Sequence, residues 1–151
     1  MSLSLLALLL LASRADAEPG QPEMVTIGFP ATSEQTISLT SLRAVFGMIQ
    51  REWPANTAVK VFVLSDDTAE HTNFSKSVLQ LFPQQLRSAW ERGVFSGHGS
   101  YPEQLASSQE MLRRVAATPG AIGYLKASEV DATVRVISVE CLPAFSVPAQ
   151  A

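Results

Sequence analysis

Hydrophobic and polar positions along the chain alternate between short apolar runs and stretches in which apolar residues recur every three or four positions. The short runs are typical of strands and cover residues 24–29, 59–64, 121–125 and 133–139. The run at 59–64 alternates only weakly between apolar and polar residues, which predicts a strand buried on both faces.

Apolar residues with helical spacing fill the segments between these runs, which predicts helices there. Ser38 or Thr40 is in position to cap the first helix and Gly47 to end it, whereas Pro83 opens the third helix and Gly93 closes it. The apolar residues that mark these helices are Leu39, Leu42, Phe46, Ile49, Phe74, Val78, Leu81, Phe82, Leu86, Ala89, Trp90, Leu105, Met111, Leu112 and Val115.

Strands that alternate with helices are typical of an α/β domain, in which helices cover a sheet that is at least partly parallel. Residues 31–38 are polar and residues 95–102 are rich in glycine, so we expect both segments to be loops. The pattern therefore predicts one domain over residues 24–140, followed by a tail at residues 141–151.

The chain begins with the layout of an export signal. Residues 5–12 form an unbroken apolar run, and Ala15 and Ala17 flank Asp16 as in a signal-peptide cleavage site. The run is much shorter than the ~20 residues that span a bilayer. We therefore predict a signal peptide at residues 1–17, a flexible leader at 18–23, and a periplasmic or secreted mature chain without a membrane span.

Charge and cysteine content exclude several classes of function. The 11 Lys and Arg residues are scattered among 14 Asp and Glu residues, and the net charge is -3. Nucleic-acid binding is not expected, because it requires clustered basic residues. Cys141 is the single cysteine, which excludes an intrachain disulfide and thiolate zinc sites; we expect it to be a small core residue.

Three motifs in order resemble periplasmic phosphate-binding proteins. The first is SLTSLRAVFG at residues 38–47, followed by Trp53 and Pro54; the second runs from Trp90 to FSGHG at 95–99. The third ends in TPGAIGY at residues 118–124. The match covers roughly residues 25–139 and resembles most the small, stand-alone family similar to phosphate ABC transporter substrate-binding proteins.

This resemblance implies a Rossmann-like single lobe of the type 2 periplasmic-binding-protein fold, with a mixed sheet and helices on both faces. It also implies association with an ABC transporter and, as ligand, phosphate held by backbone N–H groups, hydroxyls and an arginine between two lobes. The chain departs from the family after the strand at 59–64, where SDDTAEHT at residues 65–72 replaces an arginine and a Ser-Gly-Thr sequence.

Polar residues in this loop are the first candidates for ligand binding. Ser65, Thr68, His71 and Thr72 supply hydroxyl or imidazole groups at the carboxyl end of a strand, where α/β sheets bind ligands. Capping of the next helix by Asp67 or Thr68 is the structural alternative. The carboxylates in the same loop would repel a divalent anion.

Two further segments are candidates on the basis of the resemblance. Gly97, Gly99 and Ser100 belong to a loop that lies on the ligand side in the relatives and could form an anion nest; alternatively, the glycines permit a turn with positive φ. Ser108 could contact an oxyanion at a helix N-terminus, although capping by Ser107 or Ser108 is the simpler interpretation.

We expect neither catalysis nor a metal or other cofactor. His71 and His98 have no close ligand spacing, and His98 between two glycines is expected to be solvated. Ser100, His98 and Asp66 or Asp67 are the residue types of a hydrolase triad, but no Gly-x-Ser-x-Gly sequence surrounds any serine.

Two functional hypotheses follow. The first is a secreted, non-catalytic module similar to solute-binding proteins that binds phosphate or another small oxyanion weakly. A single lobe lacks the opposing wall of a closed cleft, so a homodimer or an envelope protein would supply it. The alternative is a protein-interaction or sensory module of the same fold that has lost phosphate binding.

Overall fold

A computed structural model describes residues 23–141. The predicted signal peptide, the leader up to residue 22 and the tail from residue 142 lie outside the described residues, so those boundaries stay predictions. The elements follow in the order β1 Met24–Gly28, β2 Thr36–Ser38, α1 Leu39–Phe46, β3 Lys60–Leu64, α2 Ala69–Phe74, a π-helical turn Ser75–Leu79, α3 Pro83–Phe95, β4 Glu103–Leu105, α4 Ser108–Ala117, β5 Ala121–Lys126, a 3-10 turn Ala127–Glu129 and β6 Arg135–Glu140.

The strands of the described chain form one mixed sheet in the order β2-β6-β1-β5-β3-β4. β3 is parallel to β4 and β5, whereas β1 is antiparallel to both β5 and β6. β3, β4 and β5 therefore end at the same edge of the sheet, at Leu64, Leu105 and Lys126, which we call the carboxyl edge. They begin at the opposite edge, the amino edge.

Helices cover both faces, as the α/β prediction requires. Gly123 and Tyr124 are neighbours in β5 and so point to opposite faces. A Cβ on Gly123 would lie 2.5 Å from Met111 Sδ of α4, which shows how closely that helix packs. On the other face the Tyr124 ring stacks on Phe74 at 4.1 Å and lies 6.1 Å from Phe46. The core is therefore built on two sides of β5.

The predicted strands and helices are present, and the structure adds two short strands. β2 lies within the segment expected to be polar turn, and β4 follows the glycine-rich loop directly. Each has three residues, and two residues of β4, Glu103 and Gln104, are exposed. Such segments carry little strand signal of their own, because pairing with β6 and β3 makes them strands.

Several helix predictions need correction. Leu105, expected on the fourth helix, lies in the strand β4. Ile49 and Phe82, placed on apolar helix faces by their spacing, are 76% and 60% exposed. α1 ends at Gly47 before Ile49, and Gln80 adopts a left-handed conformation with φ 55 that ends the π-helical turn before Phe82. Gly93 does not close α3, which continues to Phe95.

Cys141 also differs from expectation. It follows the end of β6 and is exposed, so it is not the small core residue that its apolar surroundings in the sequence predicted. The buried interior of this strand is supplied instead by Ile137.

Candidate functional site

The loop after β3 places its polar residues at the carboxyl edge, but it uses Thr68 structurally. The Thr68 hydroxyl accepts a hydrogen bond from the His71 N–H at 3.2 Å and donates to the Ser65 carbonyl at 2.7 Å. Ser65 Oγ lies 3.5 Å from the Asp67 N–H. Thr68 therefore caps α2, the structural alternative considered from the sequence, and its hydroxyl is occupied.

His71 is a core residue with no exposed surface. Its Nδ1 lies 2.7 Å from Tyr124 Oη, and that oxygen accepts a hydrogen bond from the Leu64 N–H at 2.8 Å. Burial lowers the pKa of His71 and raises the pKa of Tyr124, so both groups are neutral near pH 7. The Tyr124 hydroxyl then donates to Nδ1, and the His71 proton resides on Nε2.

Asp66 connects this buried pair to the surface. His71 Nε2 lies 3.5 Å from Asp66 Oδ1, and Arg87 of α3 donates to Asp66 Oδ2 from Nε at 2.7 Å and from its second guanidinium nitrogen. The hydrogen bond to Asp66 raises the pKa of Arg87. Tyr124, His71, Asp66 and Arg87 thus form a polar chain that is interrupted at one point, because the buried His71 Nε2 has no hydrogen-bond partner among the described residues. The bonds from Arg87 fix the orientation of the Asp66 carboxylate.

A polar pocket of about 340 Å³ opens beside this chain. We call it the Asp66–Arg87 pocket. Its charged residues are two carboxylates and two cations, and the half-buried Thr72 adds a hydroxyl. The Lys76 ammonium lies 5.7 Å from the Phe82 ring centroid at the same pocket. The lining residues are Asp66, Asp67, Thr72, Lys76, Phe82, Pro83, Gln84 and Arg87.

A second of the three carboxylates in this segment is paired as well. Glu70 lies 3.2 Å from the Lys126 ammonium at the end of β5. A hydrogen bond from its own backbone and a second from Lys126 lower the pKa of Glu70. With Asp66 bound to Arg87 and Glu70 bound to Lys126, the loop repels an anion less than its sequence indicates.

Among the predicted site residues, Thr72 lines the pocket, whereas Ser65, Thr68 and His71 lie behind it. Ser108 begins α4 at the carboxyl edge but does not line the pocket. Ser107 caps α4 by accepting from the Glu110 N–H at 3.2 Å, so the cap does not require the Ser108 hydroxyl.

The glycine-rich loop lies elsewhere. Gly97, Gly99 and Ser100 precede β4 and therefore lie at the amino edge, away from Thr72. Gly97 N–H donates to the Val94 carbonyl at 3.0 Å and Gly99 N–H to the Gly93 carbonyl at 2.8 Å. The two glycine donors of the predicted anion nest are therefore occupied, and the alternative, a turn with Gly97 at φ 76, is what forms. Ligand binding by Ser100 stays a prediction.

Sequence reasoning missed Lys76 and Arg87. Neither belongs to the recognised motifs, and Arg87 lies 21 residues from Asp66, on a different helix. The sequence shows Tyr124 only as the last residue of TPGAIGY, because no sequence pattern reveals that its hydroxyl joins β3 to His71.

Two features are not found within residues 23–141: a cluster of metal ligands and a helix able to span a membrane. No group of three or more His, Cys, Asp or Glu side chains there is arranged to hold a metal ion. His71 is buried, whereas His98 is exposed. None of the described helices combines the length and apolar composition needed to cross a membrane.

Comparison with solved structures identifies proteins that share the fold. A phosphate ABC transporter substrate-binding protein with bound phosphate from Clostridium perfringens matches with a TM-score of 0.62 at 14% identity, over 78% of this chain and 44% of that chain. An ABC-type phosphate transport receptor from Vibrio cholerae matches with a TM-score of 0.61 at 12% identity, over 78% and 46%. PstS from Borrelia burgdorferi matches with a TM-score of 0.58 at 11% identity, over 82% and 49%.

Comparisons with models of protein families and with curated proteins find no match. The chain spans less than half the length of the solved structures that it matches. At this level of identity the likeness concerns the fold alone, and it agrees with the resemblance carried by the sequence motifs. The described residues have the fold of a single lobe of the phosphate ABC transporter substrate-binding proteins.

Proposed function

We propose that this protein is an exported, non-catalytic module similar to solute-binding proteins, which binds phosphate or a similar small oxyanion weakly. The Asp66–Arg87 pocket carries this proposal, because it brings Arg87, Lys76 and Thr72 together at the carboxyl edge. Open α/β sheets bind ligands outside the carboxyl ends of their strands. The fold that this chain shares with phosphate-binding proteins supports a small oxyanion as the ligand. The apolar run at residues 5–12 supports export.

The charges of the pocket favour a protonated oxyanion. A carboxylate accepts hydrogen bonds and donates none, so a ligand beside Asp66 and Asp67 must bring a donor of its own. Phosphate carries a proton at neutral pH, whereas sulfate does not. Because the two cations are matched by two carboxylates, the net attraction for an anion is small, and we expect weak binding.

A single lobe also leaves the ligand exposed on one side. Small-molecule sites bury most of the ligand surface in a cleft, whereas this pocket lies at an open edge of the sheet. A second copy of the chain or an envelope protein would supply the missing wall. We therefore expect affinity for phosphate to rise when such a partner is present.

Thermal unfolding with phosphate, sulfate and chloride at constant ionic strength tests the proposal. Phosphate at about 100 times its dissociation constant would stabilise the fold by about 2.7 kcal/mol, a shift of several degrees in a domain of this size. Arg87→Gln should abolish the shift. Arg113→Gln, a change to an exposed arginine of α4 outside the pocket, should preserve it.

The alternative is a protein-interaction or sensory module that has lost phosphate binding. It is favoured by the 60% exposure of Phe82 at the pocket and by the Asp66 oxygens, which already face Arg87 and His71. If unfolding is cooperative and no anion shifts the unfolding temperature, the result would contradict phosphate binding and support this alternative. Sedimentation with and without phosphate would then show whether the chain self-associates.

A further inference from the structure

A second cavity, of about 500 Å³, lies at the amino edge, opposite the Asp66–Arg87 pocket. Its walls are the end of α1, the last turns of α3 and the loop before β4. We call it the amino-edge cavity. The lining residues are Gly47, Met48, Ile49, Arg51, Ala89, Arg92, Gly93, Ser96, His98 and Gly99.

The amino-edge cavity is basic in a protein with net charge -3. Arg51 and Arg92 line it, and none of its lining residues is an Asp or Glu. The ion pairs of the described residues use Arg87, Arg114, Lys126 and His71, and leave the cationic side chains of this cavity unpaired. The cavity therefore holds positive charge that no contact within residues 23–141 neutralises.

Helix capping does not account for these arginines. Both α1 and α3 end here, and basic residues are favourable near helix C-termini. Backbone N–H groups nevertheless satisfy carbonyls at both helix ends. The Gly47 N–H donates to the Arg43 carbonyl at 2.8 Å, and the Ser96 N–H donates to the Arg92 carbonyl at 3.0 Å. Arg51 Nε makes only a 3.5 Å contact with the Met48 carbonyl.

Two large apolar side chains face solvent, one in the cavity lining and one next to the lining along the chain. Ile49 is 76% exposed and lines the cavity, and Phe95, 88% exposed, directly precedes the lining residue Ser96. Exposed apolar groups beside unpaired cations are typical of protein-interaction sites, where apolar contact contributes affinity and charge steers the partner. A small inorganic anion would make no use of Ile49 or Phe95.

The backbone around the cavity is closely packed. A Cβ on Gly99 would lie 2.6 Å from the Gly93 carbonyl carbon, so the loop rests directly on α3. Met48 holds a left-handed φ of 62 at the end of α1, a conformation that non-glycine residues adopt only where their surroundings enforce it. A surface fixed in this way can bind without first being ordered.

We infer that the amino-edge cavity docks an acidic segment of a partner protein, whose carboxylates meet Arg51 and Arg92 and whose apolar side chains pack on Ile49 and Phe95. Charge complementarity favours an acidic occupant, because no Asp or Glu lines the cavity. The inference is independent of phosphate binding, since it concerns the opposite edge of the sheet.

Amide chemical-shift mapping tests the inference with a synthetic peptide of glutamates alternating with leucine and phenylalanine. We expect shifts confined to residues 47–51 and 92–99, and no binding when lysines replace the glutamates. The double variant Arg51→Glu, Arg92→Glu should weaken peptide binding at least about tenfold, because it reverses two charges. Arg113→Glu reverses the charge of an exposed arginine outside the cavity and should leave binding unchanged.

Phe95→Ser supplies an independent variant that leaves the charges intact and should also weaken binding. Failure of the peptide to bind the wild-type protein at millimolar concentration would overturn the inference, as would shifts at the carboxyl edge instead. Inorganic phosphate and vesicles of anionic lipid serve as comparison probes. If either produces the same shifts at residues 47–51 and 92–99 as the peptide, the site recognises anions or membranes in general and the inference fails.

Discussion

A single hydroxyl, that of Tyr124, joins two buried polar groups from different elements. It accepts from the Leu64 N–H at the end of β3 and donates to His71 Nδ1 in α2. Because buried polar groups without partners are costly, this hydroxyl holds the loop that presents Asp66 in place. The candidate site is therefore anchored in the core rather than at the surface.

Tyr124→Phe keeps the ring that stacks on Phe74 but removes the hydroxyl. The Leu64 N–H and His71 Nδ1 would lose their partner, and we expect the free energy of unfolding to fall by about 2–4 kcal/mol in urea titrations. Tyr101→Phe removes a hydroxyl from a ring that is 51% exposed and should change stability by less than about 0.5 kcal/mol. Equal effects of the two variants would contradict the assigned role of Tyr124.

His71 makes stability depend on pH. Burial lowers its pKa in the folded state below the ordinary value of 6.5, so the unfolded chain binds a proton that the folded chain does not. Stability is then retained above about pH 6.5 and falls by about 1.4 kcal/mol per unit as the pH decreases towards the folded-state pKa.

Urea unfolding between about pH 7.5 and about pH 5 measures this slope. His71→Gln should remove the share of the slope that comes from this imidazole, whereas His98→Gln, at an exposed histidine, should retain it. A slope that persists undiminished in His71→Gln would assign the pH dependence to other groups.

At the scale of elements, the connection between α4 and β5 depends on one close approach. Gly120 has φ 77, and its carbonyl accepts from the Trp53 indole N–H at 3.0 Å. A Cβ at this position would lie 2.2 Å from the Ala58 carbonyl oxygen. The glycine is therefore required both by its backbone conformation and by the segment that packs against it.

Gly120→Ala and Gly97→Ala separate these two requirements. Both glycines have positive φ, but a Cβ on Gly97 would meet no atom within 4 Å. We expect Gly97→Ala to lower the free energy of unfolding by about 1–2 kcal/mol, which is the conformational penalty alone. Gly120→Ala should lower it by at least about 2 kcal/mol more, because the backbone must shift. Similar urea midpoints for the two variants would contradict this packing.

Elements with local signals were predictable from the sequence. Ser38 caps α1 and Gly47 ends it, as predicted, because both act within a few residues of the chain. β4 could not be found in this way, since its three residues become a strand through pairing with β3. Ile49 and Phe82 continue the helical spacing of apolar residues, but each follows a residue that ends its helix. That residue is the C-cap Gly47 before Ile49 and the left-handed Gln80 before Phe82.

The candidate site, like the helices and strands, was predictable from the sequence only in part. Its position in the loop after β3 follows from strand order, and Thr72, one of the predicted binding residues, lines the pocket. Arg87 required the tertiary structure, because the path of α3 past Asp66 is set by packing. His71, a candidate for ligand binding in the sequence, lies near the start of α2, where it is buried against Tyr124.

At the scale of the whole molecule, the two edges of the sheet differ in charge and composition. The carboxyl edge carries paired charges around the Asp66–Arg87 pocket, whereas the amino edge carries unpaired arginines beside exposed Ile49 and Phe95. The proposed phosphate binding belongs to the first edge and acidic docking to the second.

Amide chemical-shift mapping during a phosphate titration would test whether the Asp66–Arg87 pocket binds an oxyanion. We expect shifts concentrated at Asp66, Thr72, Lys76 and Arg87, with sulfate at the same ionic strength producing smaller ones. Arg87→Gln should abolish them while the rest of the spectrum shows an intact fold. If millimolar phosphate leaves these amides unmoved, or shifts those of the amino-edge cavity instead, the Asp66–Arg87 pocket is not an oxyanion site.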